Sequence, residues 1–155
     1  MKKYILATAI TALMSGAVMA QDVENQEDNQ DIRVGLHMFS YHDKKGYNNS
    51  NPGLYVKYGS WTFGTYHNSL KKNSTYFGYT FELPLKDKFV DSLDLTVGVI
   101  TGYPQKIGNT KLSALVAPSA RIDLTEKTSL RVIYIPRIKR YNDVNIVHLS
   151  FERKF

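Results

Sequence analysis

From Ile32 to Phe155 the apolar residues recur at every second position, and no stretch settles into a helical period. Side chains on a strand alternate between two faces, so this pattern calls for half-buried strands throughout. In the first segment Ile32, Val34, Leu36 and Met38 share one face, with Arg33, Gly35, His37 and Phe39 opposite. The fourth repeats the pattern, with Phe77, Tyr79, Phe81 and Leu83 against Tyr76, Gly78, Thr80 and Glu82. Breaks rich in Gly, Pro, Asn and Ser divide the chain into strands near 32–41, 53–58, 61–68, 75–83, 93–99, 112–122 and 130–134, and one that runs to the terminus. Eight short strands with one apolar face predict an all-β fold: an eight-stranded antiparallel transmembrane β-barrel of the outer-membrane type.

The two ends of the chain agree with this. Val147, Leu149, Phe151 and the terminal Phe155 lie on one face, and a terminal Phe resembles the assembly signal of outer-membrane barrels. Arg153 interrupts that face near the end, where an interfacial position tolerates it, and eleven tyrosines suit aromatic girdles. The alternative is a soluble lipocalin-like barrel, which needs neither the terminal Phe nor an apolar outer face. At the other end Lys2 and Lys3 precede the apolar run Ile5 to Met14, and Val18-Met19-Ala20 forms a small-residue cleavage pattern. Residues 1–20 are thus expected to be a signal peptide, leaving a mature chain of roughly 135 residues. Residues 22–31 carry five acids and no base, so 21–31 reads as an acidic flexible tail and 32–155 as the barrel domain. The expected location is the Gram-negative outer membrane, with both barrel termini periplasmic because the strand number is even. The loops at 42–52, 70–74, 102–111 and 137–143 then face outward.

Composition narrows the chemistry. There is no cysteine, hence no disulfide, thiol nucleophile or thiolate metal site. His37, His42, His67 and His148 show no metal-ligand spacing, and no phosphate-binding, zinc-protease or hydrolase-elbow motif is present. No metal and no cofactor are expected. From Ile32 onward 18 Lys and Arg face 9 Asp and Glu. An exported chain is not expected to meet nucleic acid, whereas anionic lipid headgroups suit Lys44, Lys45, Lys71, Lys72, Arg137, Lys139 and Arg140 in the outward loops. The chain is expected to be a monomer.

Two places carry candidate chemistry. His37 lies late in the first strand on the polar face, and Tyr66-His67-Asn68-Ser69 closes the third. One strand separates them, about 10 Å of sheet, so their inward side chains are expected to approach. Taken singly, a lumen histidine is more often a packed polar residue, and Asn-Ser before a polar loop is ordinary turn chemistry. Pro118 falls inside strand six and Pro136 ends strand seven. Proline removes a ladder hydrogen bond, so this seam is either weakened in its outer half or interrupted by a bulge or loop boundary.

In order along the chain, His37 is followed by Tyr47-Asn48-Asn49-Ser50-Asn51-Pro52-Gly53, then Tyr66-His67-Asn68-Ser69 and Gly78-Tyr79. Val97-Gly98-Val99, Leu115-Val116-Ala117-Pro118 and Tyr134-Ile135-Pro136 come next. In this order and spacing the chain resembles the lipid A palmitoyltransferase family over nearly all of residues 32–155. It departs from that family in having Asn68 where the family has Asp, and in lacking both the amphipathic N-terminal helix and the proline that opens the first strand. The resemblance implies transfer of a fatty acyl chain from a phospholipid donor to lipid A, the acceptor part of lipopolysaccharide. It implies His37 as general base, with Asn68 and Ser69 positioning the reacting groups or donating to the oxyanion. It also implies Gly78 and Thr80 near the floor of an acyl chamber, and Pro118 and Pro136 at a lateral gate. The rival reading is a non-enzymatic small outer-membrane barrel serving adhesion, resistance or surface exclusion. The lumen separates them: the enzyme needs an apolar lower chamber, the rival an interior salt-bridge network. The inward set Phe39, Tyr76, Gly78, Thr80, Leu115, Ala117 and Ile133 is moderately apolar, which favours the enzyme.

Overall fold

The computed structural model describes residues 31–138 and 142–155. The signal peptide, the acidic tail as far as Gln30, and Lys139 and Arg140 lie outside the described residues. Eight strands are described: β1 (Ile32–His42), β2 (Ser50–Tyr58), β3 (Trp61–His67), β4 (Asn73–Pro84), β5 (Ser92–Ile100), β6 (Ser113–Asp123), β7 (Thr128–Ile135) and β8 (Ile146–Lys154). Each pairs antiparallel with its neighbour, and β8 returns to β1, closing the barrel. One end carries the start of β1 and the connections 59–60, 85–91 and 124–127, the other the connections 43–49, 68–72, 101–112 and 136–145. We call these the turn end and the loop end.

The burial is inside out relative to a water-soluble domain. Leu36, Leu54, Val56, Phe63, Phe77, Phe81, Leu83, Leu93 and Val116 point outward and are exposed. Trp61 stacks on Phe77 at 5.1 Å, and Tyr79 leans on Phe81 at 4.9 Å, so the outer surface carries an aromatic patch. A belt of this extent is solvated by lipid, not water. Inside, Arg33, His37, Lys57, Asp94, Arg131, His148 and Glu152 are buried.

Three local features shape the lumen. First, the β1 ladders to both β2 and β8 shift register between His37 and Phe39. The extra residue is a β-bulge, and it reverses the alternation beyond it. Phe39, expected inward, therefore points outward at 45 % exposure, while Ser40 and His42 turn in and are buried. Second, a Cβ on Gly35 would lie 2.0 Å from the Tyr55 ring, and one on Gly64 2.6 Å from Tyr76. Only glycine lets these two rings cross the narrow barrel. Third, β6 and β7 pair only from Ser119↔Ile133 to Asp123↔Ser129. Pro118, paired with Leu95 on β5, begins the stretch of β6 without a β7 partner. The weakened seam expected from the prolines is present in the loop-end half, and Pro136 lies just past the end of β7.

Candidate functional site

The turn-end half of the lumen is ionic. Arg131 donates to both carboxylate oxygens of Glu152, from Nε at 2.6 Å and from a terminal nitrogen at 3.3 Å. Its other terminal nitrogen holds Asp94 and donates to Ser119 Oγ at 2.9 Å. The Tyr55 hydroxyl donates to Glu152 at 2.8 Å. Beside this cluster Glu82 bridges Lys57 at 2.7 Å and Arg121 at 3.4 Å. The expectation of an apolar lower chamber therefore fails. Inward charges from six strands are driven together there, because a buried ion without partners costs several kcal/mol.

Above the ions the character changes. Thr80 donates or accepts across a row of hydroxyls, 3.1 Å from Thr62 and 2.9 Å from Thr96. A cavity of about 90 Å³ spans this row, bordered by Lys57, Arg131 and Glu152 toward the turn end and reaching Ser69 toward the loop end. Its walls include Leu115, Ala117, Ile133, Ile135 and Ile146, so both strands of the open seam line it. Of the inward set, all but Phe39 and Gly78 border this cavity. A Cβ on Gly78 would press on the Val97 carbonyl at 2.9 Å. Gly78 thus serves the close approach of β4 to β5, and Thr80 is the better candidate for a floor.

His37 sits in the cavity wall with both ring nitrogens engaged. Nδ1 lies 2.8 Å from His148 Nε2, and Nε2 lies 3.0 Å from the Tyr76 hydroxyl. His148 continues the chain to Ser40 Oγ at 2.8 Å. Tyr55 and Tyr66 hold the His37 ring with centroids 4.8 and 4.9 Å away. A Tyr–His–His–Ser relay crosses the lumen, with the proton positions set by tautomer. Sequence reasoning missed His148, although its alternation with Ser150 and Glu152 already placed it inside.

Asn68 and Ser69 do not converge on His37. Asn68 is fully buried in the loop after β3, where its Oδ1 accepts the N–H groups of Leu70 at 2.8 Å and Lys72 at 3.0 Å. Its Nδ2 donates to Ser74 Oγ at 2.9 Å and to the Gly102 carbonyl at 3.2 Å. That is a loop clasp, and it takes both ends of an amide. Asn68 thus fills the turn role that Asn-Ser before a polar loop suggests, and it does not point at His37. Ser69 also borders the cavity, but its Oγ is 2.7 Å from Nε2 of His42. His42 came within reach only through the β1 bulge, which no local sequence pattern reveals.

The rim around this pair is charged. Tyr47 donates to Asp143 at 2.6 Å and Lys44 to the same carboxylate at 3.0 Å. Those two partners hold the Asp143 carboxyl below its usual range. Partial desolvation pushes Asp43 upward, but hydrogen bonds from Asn145 with the charges of Arg137 and Lys44 outweigh it and leave Asp43 lowered. Several of the basic residues thus serve to tie the loops together before they meet any ligand.

No family model and no curated protein matches the chain. Among solved structures it is similar to the N-terminal β-barrel domain of Pseudomonas aeruginosa OprF, at 10 % identity and a TM-score of 0.50, covering 81 % of this chain and 98 % of that one. It is also similar to Neisserial surface protein A, at 12 % identity and a TM-score of 0.35, covering 81 % and 96 %. At such identity the first likeness is one of fold, and the fold is that of a small eight-stranded outer-membrane barrel.

Proposed function

We propose that this barrel transfers a fatty acyl chain from a phospholipid to lipid A at the outer leaflet, the loop end facing outward. The observation that carries the reading is the seam between β6 and β7. It lacks ladder pairs in its loop-end half, and the residues flanking the gap line the cavity that Ser69 borders. A chain in the surrounding lipid has a lateral route to a serine and a histidine. At about 90 Å³ the resting cavity is well below the ~300–1,000 Å³ of filled ligand pockets, so entry requires Leu115, Ile135 and Ile146 to move aside. The resemblance to the lipid A palmitoyltransferases supports the same reading and supplies the acceptor.

A second reading is favoured by the ionic half of the lumen. Two neighbouring ion clusters, Arg131 with Glu152 and Asp94, and Glu82 with Lys57 and Arg121, are what a non-enzymatic barrel uses to fill its interior. Mass spectrometry of lipid A from cells with and without the gene decides between them. An added acyl chain that depends on the gene is expected. Lipid A left unchanged, in cells whose outer membrane holds the folded protein, would leave the non-enzymatic reading standing.

A further inference from the structure

We infer that His42, oriented by Asn49, is the base that activates Ser69 as an acyl-accepting nucleophile. The inference rests on the acyl-transfer reading for its substrate class, an ester-linked lipid, but its geometry stands apart from that reading. Ser69 Oγ is 2.7 Å from His42 Nε2, and His42 Nδ1 is 2.7 Å from Asn49 Oδ1. An amide oxygen only accepts, so Nδ1 carries the ring proton and Nε2 presents its lone pair to the serine hydroxyl. Nucleophile, base and orienting group therefore stand in the order that acyl-transfer enzymes on unrelated folds share.

The three side chains come from three segments that are tied by backbone. Asn49 accepts the Ser40 N–H at 2.8 Å, and Asn48 donates its N–H to the Ser69 carbonyl at 2.9 Å. Tyr47 stacks on the His42 ring, centroids 5.0 Å apart and planes 13° from parallel, and its hydroxyl is anchored on Asp143. His42 and Ser69 are both buried, which excludes bulk water from the pair. This degree of fixation exceeds what a chance serine–histidine contact in a loop requires.

The chemistry balances without any further group. Ser69 Oγ attacks the carbonyl carbon of a lipid ester as its proton passes to His42 Nε2. Collapse of the tetrahedral adduct breaks the ester C–O bond, and the departing alcohol takes that proton from Nε2. The acyl chain, now esterified to Ser69, lies toward the cavity that Ser69 borders. An acceptor hydroxyl gives its proton to Nε2 and attacks the acyl-serine carbonyl; collapse breaks the bond from the acyl carbon to Ser69 Oγ, which takes the proton back from Nε2.

The test uses the full mature protein folded in detergent, with a fluorophosphonate probe and peptide mass spectrometry to locate the adduct. Each variant is used only where heat-modifiable gel mobility shows it folded. The unaltered protein is expected to be labelled on Ser69. His42→Gln is expected to slow labelling by a hundredfold or more, within the ~10²–10⁴ range for loss of a general base. Asn49→Leu is expected to slow it markedly, with Asn49→Asp restoring it, a pair that carries the test if His42→Gln does not fold. No adduct on Ser69, or an unchanged labelling rate in His42→Gln or Asn49→Leu, overturns the proposal. Labelled Ser69 in a protein that leaves lipid A unchanged upholds the nucleophile while removing the lipid A acceptor. Lipid A acylation by a folded Ser69→Ala protein does the reverse.

Discussion

Replacing Asn68 by Asp probes the loop clasp directly, and it also installs the residue that the resembling family carries. The side chain is fully buried and makes four hydrogen bonds. A carboxylate keeps the two it accepts from Leu70 and Lys72. It loses both donations and sets an anion against the Gly102 carbonyl, 3.2 Å from the present Nδ2. Ser74 cannot compensate cheaply, because its hydroxyl already donates to the Thr101 carbonyl at 2.7 Å. Two lost bonds cost about 1–3 kcal/mol, and charge assistance to the two retained N–H groups offsets roughly what the buried anion adds. A net loss of about 1–3 kcal/mol at pH 7 is expected in urea unfolding of the vesicle-reconstituted barrel, followed by gel mobility. The pH dependence has a definite sign. A carboxyl raised in the folded state adds stability below its unfolded pKa of about 3.9 and loses it as pH rises through the folded value. The deficit of Asn68→Asp should therefore shrink as pH falls from 7 toward 4. A variant as stable as the parent at pH 7, or a deficit that widens on acidification, would refute the clasp.

Arg131→Met leaves Glu152 and Asp94 buried without their shared cation, so a loss of about 3–5 kcal/mol in the same unfolding assay is expected; a loss under 1 kcal/mol would show that the lumen rehydrates freely. Asp43 and Asp143 are both held below the usual carboxylate range, so the loop ties they make are complete above about pH 4 and are lost as pH falls through the lowered values. The backbone amide of Asn145, which donates to Asp43 at 3.0 Å, should report that loss by NMR with a midpoint under 3.9, and a midpoint above it would contradict the assigned partners. If acyl transfer is the activity, Thr80→Gly should lengthen the preferred chain by one or two methylenes, each worth ~0.8 kcal/mol of burial, in lipid A mass spectra. Gly78→Met should impair folding instead, through its contact with the Val97 carbonyl, and normal folding with an altered chain length would move the floor to Gly78.

Alternation is a local rule, and what depends on it alone could be read from the chain. The outward face of β4 and the inward turn of His37 and Glu152 follow from parity, and the turn breaks mark eight strands, although β2 begins three residues earlier than they suggest. The second half of β1 could not be read that way. Whether Met38 bulges depends on the pairing of β1 with β2 on one side and β8 on the other, 111 residues later in the case of His148. Hence Phe39 was placed on the wrong face and His42 went unnoticed. The ionic cluster has the same cause: Arg131, Asp94 and Glu152 are visible as inward charges, but their meeting is a matter of barrel diameter and shear. Asn68 drew attention as chemistry, whereas the turn propensity of Asn-Ser was the better guide.

A barrel's ladders are also its hoop, the hydrogen-bonded resistance a thin shell has to lateral pressure. Around most of this circumference the hoop is continuous, with nine residue pairs between β5 and β6, but only five join β6 to β7. The five lie toward the turn end, so that seam behaves as a slit clasp, stiff at its base and compliant at its mouth. Unpaired backbone groups at the mouth cannot be satisfied by hydrocarbon, which draws water or lipid headgroups down along that flank alone. The one short ladder thus sets that flank apart from the rest of the circumference and gives an otherwise round protein a preferred direction in the plane of the membrane.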